Sequence, residues 1–365
     1  MVIELKILLA LLMFGVLIFV HEIGHFIAAR AFGVKVNEFA LGMGPKIFSY
    51  KSQKSGTVYS LRLFPVGGFN DIEGENGDST DDAAFCTKAV WKRMIIIVSG
   101  AALNLLFAVI LMAGIVIATD KLGSTVVAAF TSNDSAQGED AEGSETGTEF
   151  VGAVSNTAEK LAVGDKIVKI NGKRVHIIDE LVYTIAFECV EPADVTVIRN
   201  GETTVITDVV FPTYESSGIV FGSIDFSVYR EEKNFGSIMK HSWFKCVSSM
   251  ETIWESLFGL VSGKYGVEHV SGPVGVTDAL GDAAESGTLT VLNMVVIISM
   301  NLGVFNLLPI PALDGGRLVF LIIEAIRRKP IRHDIEATVH TVGILVLMSI
   351  MVLVTFKDVF VIFKK

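Results

Sequence analysis

The residues VHEIGHFIAAR at positions 20–30 set His21, Glu22 and His25 inside an otherwise apolar run that starts near the first residue. On a helix, residues four apart lie on one face, so the two imidazoles point together. Glu22 stands about 100° round the axis from His21, within reach of a water on an ion held by the imidazoles. Two histidines at this spacing, with a non-ligating glutamate after the first, form the working core of a zinc metalloprotease. Neutral imidazoles suit Zn2+, which lowers the pKa of a bound water to about 7; Glu22 is then the base that takes the proton during attack on a carbonyl. Two plainer readings compete. HExxH occurs by chance on solvated helices, and a single histidine on an apolar face is usually a satisfied core residue. Neither suits a membrane-length run, where two histidines and a glutamate are costly unless they bind something or line a wet cavity.

A tetrahedral site with one open position needs a third protein ligand. The best candidate is Asp314, in NLLPIPALDGG. Pro309 and Pro311 interrupt a helix just before it, and a broken helix at membrane depth is tolerated only where it lines a cavity or lies within protein. Gly315 and Gly316 let backbone approach closely, and a helix starting near Asp314 fixes its side chain. The alternative is that Asp314 simply caps that helix. The other histidines are poorer candidates. His176 falls in a soluble segment, His241 and His269 toward the outer side, and His333 in a basic loop. His340 stands at the start of a span, where a helix-end histidine is commoner than a ligand.

These groups need a membrane scaffold to hold them. Of 365 residues, 51% are hydrophobic, and the excess gathers in four runs, residues 2–30, 94–119, 288–308 and 339–356. Each can cross a hydrocarbon core of about 30 Å at about 1.5 Å per residue. The first run is not expected to be a cleaved signal peptide, because Glu4 spoils the basic leader and HEIGH has no place in its apolar centre. Lys and Arg number nine in residues 30–93 and five in 311–338, against ten with twenty Asp/Glu in 120–240. The first two loops are therefore expected in the cytoplasm, with the acidic segment and both termini outside. The first and third spans then both run inward, which puts His21, His25 and Asp314 near one plane close to the cytoplasmic face. A net charge of −10 argues against a nucleic-acid partner.

The acidic segment holds a small soluble α+β domain, residues 124–212. Its hairpins turn at Asn171-Gly172 and Asn200-Gly201. A Gly- and acid-rich insertion at 131–148 reads as a disordered loop. Residues 235–262 read as one or two amphipathic helices at the membrane interface, within a linking segment 213–287 that also carries SGPVGV. In the first loop, TVYSLRLFPVGGF alternates and then reaches Gly67-Gly68, a pattern that predicts a hairpin over about 57–70 turning at the two glycines. The three cysteines, Cys86, Cys189 and Cys246, are far apart and form no CxxC, so no disulfide framework is expected.

HEIGH, GMGPKIFSYK, YSLRLFPVGGF, GDKIVKINGKRV, SGPVGV and NLLPIPALDGG follow one another as they do in bacterial site-2 proteases, and the chain resembles that family over nearly its whole length. The resemblance implies a polytopic α-helical membrane protein with four transmembrane helices in segments 1–119 and 288–365, a membrane re-entrant β-hairpin, and an inserted extracytoplasmic PDZ domain. It implies one Zn2+ on His21, His25 and Asp314, Glu22 as catalytic base, and Asn306 holding the substrate backbone. Asn104, in SGAALN, supports the site where relatives more often carry Gly-Pro before the Asn. In the hairpin, Leu61, Arg62, Leu63, Gly67 and Gly68 are expected to offer an open edge with which an unwound substrate pairs as an added strand. The expected substrates are single-pass membrane proteins, such as anti-sigma factors or remnant signal peptides, cut within the bilayer. The soluble domain either gates untrimmed substrates or captures partners. An inactive relative that only holds transmembrane segments is disfavoured by the complete set of chemical groups, and a metal transporter by the lack of repeated halves.

Overall fold

The computed structural model describes residues 3–75, 77, 79–130, 155–216, 219–263, 266 and 270–364. The predicted insertion at 131–148 and His269 lie outside these residues. The chain forms two compact units, residues 1–112 with 249–365, and residues 113–248.

The first unit opens with α1 (Ile3–Ala31), two long strands β1 (Val36–Lys51) and β2 (Val58–Ile72), and α2 (Val90–Ala118). Its C-terminal part carries three helices before the last one, α6 (Pro273–Ser286), α7 (Thr288–Leu307) and α8 (Asp314–Arg327), and then α9 (His333–Lys364). Of these, α1, α2, α7 and α9 are long and apolar enough to cross a membrane, matching the four runs in the sequence. The last begins six residues earlier than hydropathy indicates, because the charged turn from His333 is helical but not apolar. Lipid tails are as apolar as leucine, so hydrophobic burial does little to join such helices. Polar anchors and small residues do it instead. Asp358 of α9 accepts the backbone N–H groups of Gly272 and Gly275 at 2.8 and 2.9 Å, which is what SGPVGV supplies at the start of α6. Lys6 of α1 pairs with Asp278 of α6 at 2.9 Å.

The first-loop sheet differs from the expected hairpin. Its turn lies at residues 52–57, where Ser52 donates to the Thr57 carbonyl and Gly56 to that of Ser52. β2 does not turn at Gly67-Gly68. It bends at Gly67, whose φ is 80°, and runs on to Ile72. Residues 38–41 have a neighbour on each side, 68–71 on one and 58–61 on the other, while 58–62 also meets 46–51. Alternation within 57–70 could not reveal this, because the partner strand lies outside it.

The second unit is a β-rich fold. β3 (Leu122–Phe130), β4 (Lys166–Ile170), β6 (Ala193–Arg199), β7 (Glu202–Val209) and β10 (Phe226–Glu231) form a sheet in the order β10-β3-β4-β6-β7, with β5 (Lys173–Arg174) beside β4. The short α3 (Thr157–Lys160), the helix α4 (Ile178–Glu188) and a hairpin of β8 (Thr213–Ser216) and β9 (Ile219–Gly222) complete it, and α5 (Phe235–Val261) follows as one continuous helix. Both Asn-Gly pairs take the positive φ that a two-residue hairpin turn requires, 47° and 82° at Asn171-Gly172, 53° and 86° at Asn200-Gly201. The sheet reaches past the expected boundary at 212, because β10 returns to pair with β3. Val127, Ile167, Ile170, Leu181, Ile185, Val197 and Phe226 share one buried core. All three cysteines are free thiols, and burial pushes Cys189 up to about 12.

Candidate metal centre

The long apolar helix α1 carries His21 and His25 one turn apart, near its C-terminal end. α2 crosses it at two glycines. A Cβ on Gly24 would lie 2.3 Å from the Ser99 carbonyl oxygen, and one on Gly100 would lie 2.3 Å from His25 Nε2 and 2.8 Å from His21 Cε1. The motif SGAALN is thus legible as a crossing point: Gly100 leaves the space in which the imidazoles face one another.

Asp314 arrives from the opposite side. α7 ends at Leu307, and the two prolines carry the chain through a tight loop to α8. Ala312 takes a φ of 80° there. The loop folds back on the start of α8 so closely that a Cβ on Gly315 would lie 2.0 Å from the Leu308 carbonyl oxygen and one on Gly316 2.5 Å from that of Ile310. Asp314 is the first residue of α8, and the capping position before it is Leu313. The Asp314 side chain turns to the imidazoles, with Oδ2 at 3.0 Å from His21 Nε2 and 3.2 Å from His25 Nε2. The two Nε2 atoms are 3.1 Å apart.

Three ligand atoms stand within 4.8 Å of one another, and their proton positions decide what can lie between them. His25 Nδ1 is 2.8 Å from the Ile96 carbonyl oxygen. A carbonyl only accepts, so Nδ1 carries the proton and Nε2 of the neutral ring is a bare lone pair. His21 Nδ1 is 3.3 Å from Asn104 Nδ2, while Asn104 Oδ1 is buried with no partner. Exchanging the two amide atoms gives Nδ1–H of His21 an acceptor and both rings the same tautomer. Asp314 Oδ2 is also buried without a hydrogen-bond partner. Two nitrogen lone pairs and a carboxylate oxygen then face one point, an arrangement that fits a cation. Bonds of about 2.0–2.1 Å in a tetrahedron hold ligand atoms about 3.3 Å apart, close to the separations seen.

Glu22 is held from the other flank. Asn70 of β2 donates through Nδ2 to Glu22 Oε2 and to the Glu22 backbone oxygen, both at 2.7 Å. A Cβ on Gly68 would lie 3.5 Å from Glu22 Cγ and 2.8 Å from the Ala40 oxygen. Gly67 and Gly68 therefore lie at the sheet edge beside the centre. Leu61 does not lie on an open edge, as it faces Leu41 on one side and Phe48 on the other. Leu63 is exposed. Arg62 is fixed within the sheet, donating to the Gly44 oxygen and to Glu38 Oε1, both at 2.9 Å. Asn306, in the last turn of α7, makes no hydrogen bond to His21, Glu22, His25 or Asp314 among the described residues. Asn104 approaches His21 rather than the hairpin.

Two residues escaped the sequence. Asn70 follows the glycine pair and carries no motif of its own. His340 is no ligand, yet its Nδ1 accepts the Ala312 backbone N–H at 2.9 Å, so α9 holds the loop that delivers Asp314. The only signal was a histidine within a span. Beyond the centre, a cavity of about 600 Å3 is lined by Glu75, Arg93, Arg317, Glu324 and His333. Arg317 pairs with Glu75, and Arg93 with Glu324.

Comparison with known proteins gives the family. The model of peptidase family M50 matches residues 9–350. Zinc metalloprotease RasP of Geobacillus kaustophilus is 31% identical over 430 residues, covering 96% of this chain and 96% of that protein. The regulator of sigma-W protease RasP of Bacillus subtilis is 28% identical over 432 residues, covering 96% and 97%. A Clostridium acetobutylicum protein with a zinc metalloprotease name is 34% identical over 360 residues, covering 97% of each.

Proposed function

This chain belongs to peptidase family M50, the site-2 proteases, as a multi-pass membrane zinc metalloprotease, and from that premise we propose that His21, His25 and Asp314 hold the zinc and that Glu22 is the base of peptide hydrolysis inside the bilayer. The observation that carries the reading is the convergence of three bare ligand atoms from two helices, with Glu22 one residue from the first of them. Zinc bound there supplies a Lewis acid and a water ionised near neutral pH. Asn70 fixes one oxygen of Glu22 and leaves the other to accept the water's proton and pass it to the departing amine. Asn104 and the Ile96 carbonyl keep the two imidazoles in the ligand tautomer.

The substrate is a transmembrane segment of a single-pass protein. An anti-sigma factor suits the sigma-W name of the Bacillus subtilis relative, and a remnant signal peptide suits the same chemistry. A helix must unwind before it is cut. The β1–β2 sheet re-enters the membrane, and its Gly67–Asn70 edge, beside Glu22, takes the unwound stretch as an added strand. Asn306 grips the substrate backbone. The β-rich unit is an extracytoplasmic PDZ domain that gates untrimmed substrates. The sheet needs β10, so a clean deletion removes 122–231 rather than 124–212; a gate so removed lets untrimmed substrate be cut, whereas a capture module so removed stops cutting.

The test pairs metal analysis with cleavage of a single-pass substrate by the full-length protein. Glu22→Gln is expected to keep one zinc per chain and to lose cleavage by about a thousandfold. Asp314→Ala is expected to lose the zinc. Full metal content in Asp314→Ala would remove the proposed ligand set, and wild-type turnover by Glu22→Gln would remove the proposed base.

A further inference from the structure

A second site lies wholly within the β-rich unit. Thr125 of β3, Lys166 and Lys169 of β4, Arg174 of β5, His176 in the segment before α4, and Lys240 of α5 line a cavity of about 290 Å3. Four of the ten Lys/Arg between 120 and 240 thus meet at one place, in a segment that carries twenty acids. Two of the lining groups are compensated: His176 Nδ1 lies 3.1 Å from Glu180 Oε2, and Lys240 Nζ 3.0 Å from Glu231 Oε2. Lys166, Lys169 and Arg174 have no acidic partner among the described residues. Like charges gathered against their mutual repulsion, in a segment where acids outnumber bases two to one, fit an anion.

The neighbouring residues identify which anion. Lys233, two residues before α5, donates to the Ile117 oxygen at 3.1 Å and also to the Thr119 oxygen, at the C-terminal end of the membrane-length α2. Thr125 is six residues beyond Thr119, a reach of at most about 20 Å. Lys240, in the second turn of α5, is seven residues beyond Lys233, a reach of at most about 25 Å. Short stretches of chain therefore tether two of the cavity's lining residues, Thr125 and Lys240, to that end of α2. On α5 itself, Phe235, Met239 and Trp243 are 81%, 46% and 58% exposed, and their spacing of four places them on one stripe. The stripe begins at the level of Lys233. An apolar stripe with an aromatic anchor, next to a basic cavity, is the pattern of a helix lying in the headgroup region.

We propose that this cavity binds the phosphate headgroup of an anionic phospholipid, with Lys166, Lys169 and Arg174 as the phosphate ligands and the Phe235–Trp243 stripe seated among the acyl chains. The bound lipid would fix the β-rich unit at the bilayer surface, a role separate from the zinc chemistry and independent of whether that chemistry is assigned correctly.

The experiment uses the full-length protein in a neutral detergent, with native mass spectrometry reading lipid adducts during titration with phosphatidylglycerol, phosphatidylcholine or inorganic phosphate. Phosphatidylglycerol is expected to bind, and Lys166→Gln/Lys169→Gln/Arg174→Gln to weaken it about a hundredfold, since each basic residue near a charged headgroup contributes about a factor of five. Single Lys169→Gln is expected to weaken it about fivefold, which covers the case of a triple variant that does not fold. Trp243→Ser is expected to weaken phosphatidylglycerol binding without creating phosphate binding. Equal binding of phosphatidylglycerol and phosphatidylcholine, or equal phosphatidylglycerol binding by wild type and the charge variants, overturns the proposal. Competition by inorganic phosphate as strong as by the lipid assigns the site to a free anion instead. Binding that appears only after removal of residues 131–148 overturns it in favour of the chain's own acidic segment as occupant.

Discussion

Around Ile167, Ile170, Leu181 and Val197 the β-rich unit closes a fully buried apolar core. Around His21 and His25 the contacts come from Gly100, the Ile96 carbonyl and Asn104. The large apolar side chains of the spans mostly point away: on α9, Ile344, Leu345, Val346 and Leu353 are all exposed. The difference follows from the solvent. In water, removing apolar surface orders the fold. In lipid that force is nearly absent between helices, and missing side chains and satisfied polar atoms set the geometry. The two regions should therefore fail in opposite directions, one when a methyl is added and the other when methyls are taken away.

The largest effect is expected at the helix crossing. A side chain at Gly100 collides with both imidazoles, so Gly100→Val should lose zinc and all measurable cleavage. Gly114→Val is the matched control on the same helix, because a Cβ there meets nothing within 4 Å, and it should keep both. Wild-type zinc content in Gly100→Val would break the comparison. The reverse change belongs to the β-rich unit. Ile170→Ala should cost that unit about 2–5 kcal/mol, seen as a lower denaturation midpoint, with zinc content unchanged. Metal loss in step with that destabilisation would mean that the two regions are not separable in this way.

A buried charge in the β-rich unit sharpens the contrast further. Asp165 receives both arms of Arg199 at 2.7 Å, together with the Ala162 N–H at 2.8 Å. Arg199 holds its carboxyl below the ordinary range. A lowered folded-state pKa means stabilisation that is complete above the unfolded value of about 3.9 and lost as pH falls through the folded value. Urea midpoints of the unit should therefore drop in acid below about pH 4. Asp165→Asn should lower the neutral-pH stability by about 1.5–3 kcal/mol and flatten that acid response. An unchanged acid response in the variant would show that other carboxylates govern it.

How far the sequence disclosed these features follows the range of the contacts. HEIGH is local: a metal pair on one helix face needs a spacing of four, so His21, Glu22 and His25 were legible. Asp314 was legible because prolines and glycines mark an interrupted span, although the capping alternative could be set aside only once its side chain was located. The Asn-Gly turns were legible because few other pairs take two positive φ values. The partner of β2 was not, since register depends on residues 36–51 outside its own pattern. Nor was the end of the β-rich unit, because β10 joins the sheet only after an intervening hairpin. Asn70 and His340 act on groups 48 and 28 residues away, and a single asparagine or histidine carries no spacing to betray that.

The smallest effect tests the claim that satisfied polar atoms set the geometry in lipid. His340 accepts the Ala312 N–H, and Ala312 is held at a φ of 80° two residues before Asp314. His340→Leu keeps the bulk but leaves that N–H buried without an acceptor, so the loop should relax toward a conformation that satisfies it. Because Asp314 follows the loop, zinc should leave about tenfold faster, the lower end of what lost outer partners cost a metal site. His340→Asn places an acceptor oxygen near the same point and should restore most of the retention, which a purely steric role for the ring would not allow. The readout is zinc transfer to a chelator over time, which does not depend on cleavage. Equal release from wild type and His340→Leu would show that prolines and glycines alone fix Asp314, and that the hydrogen bond from α9 is incidental.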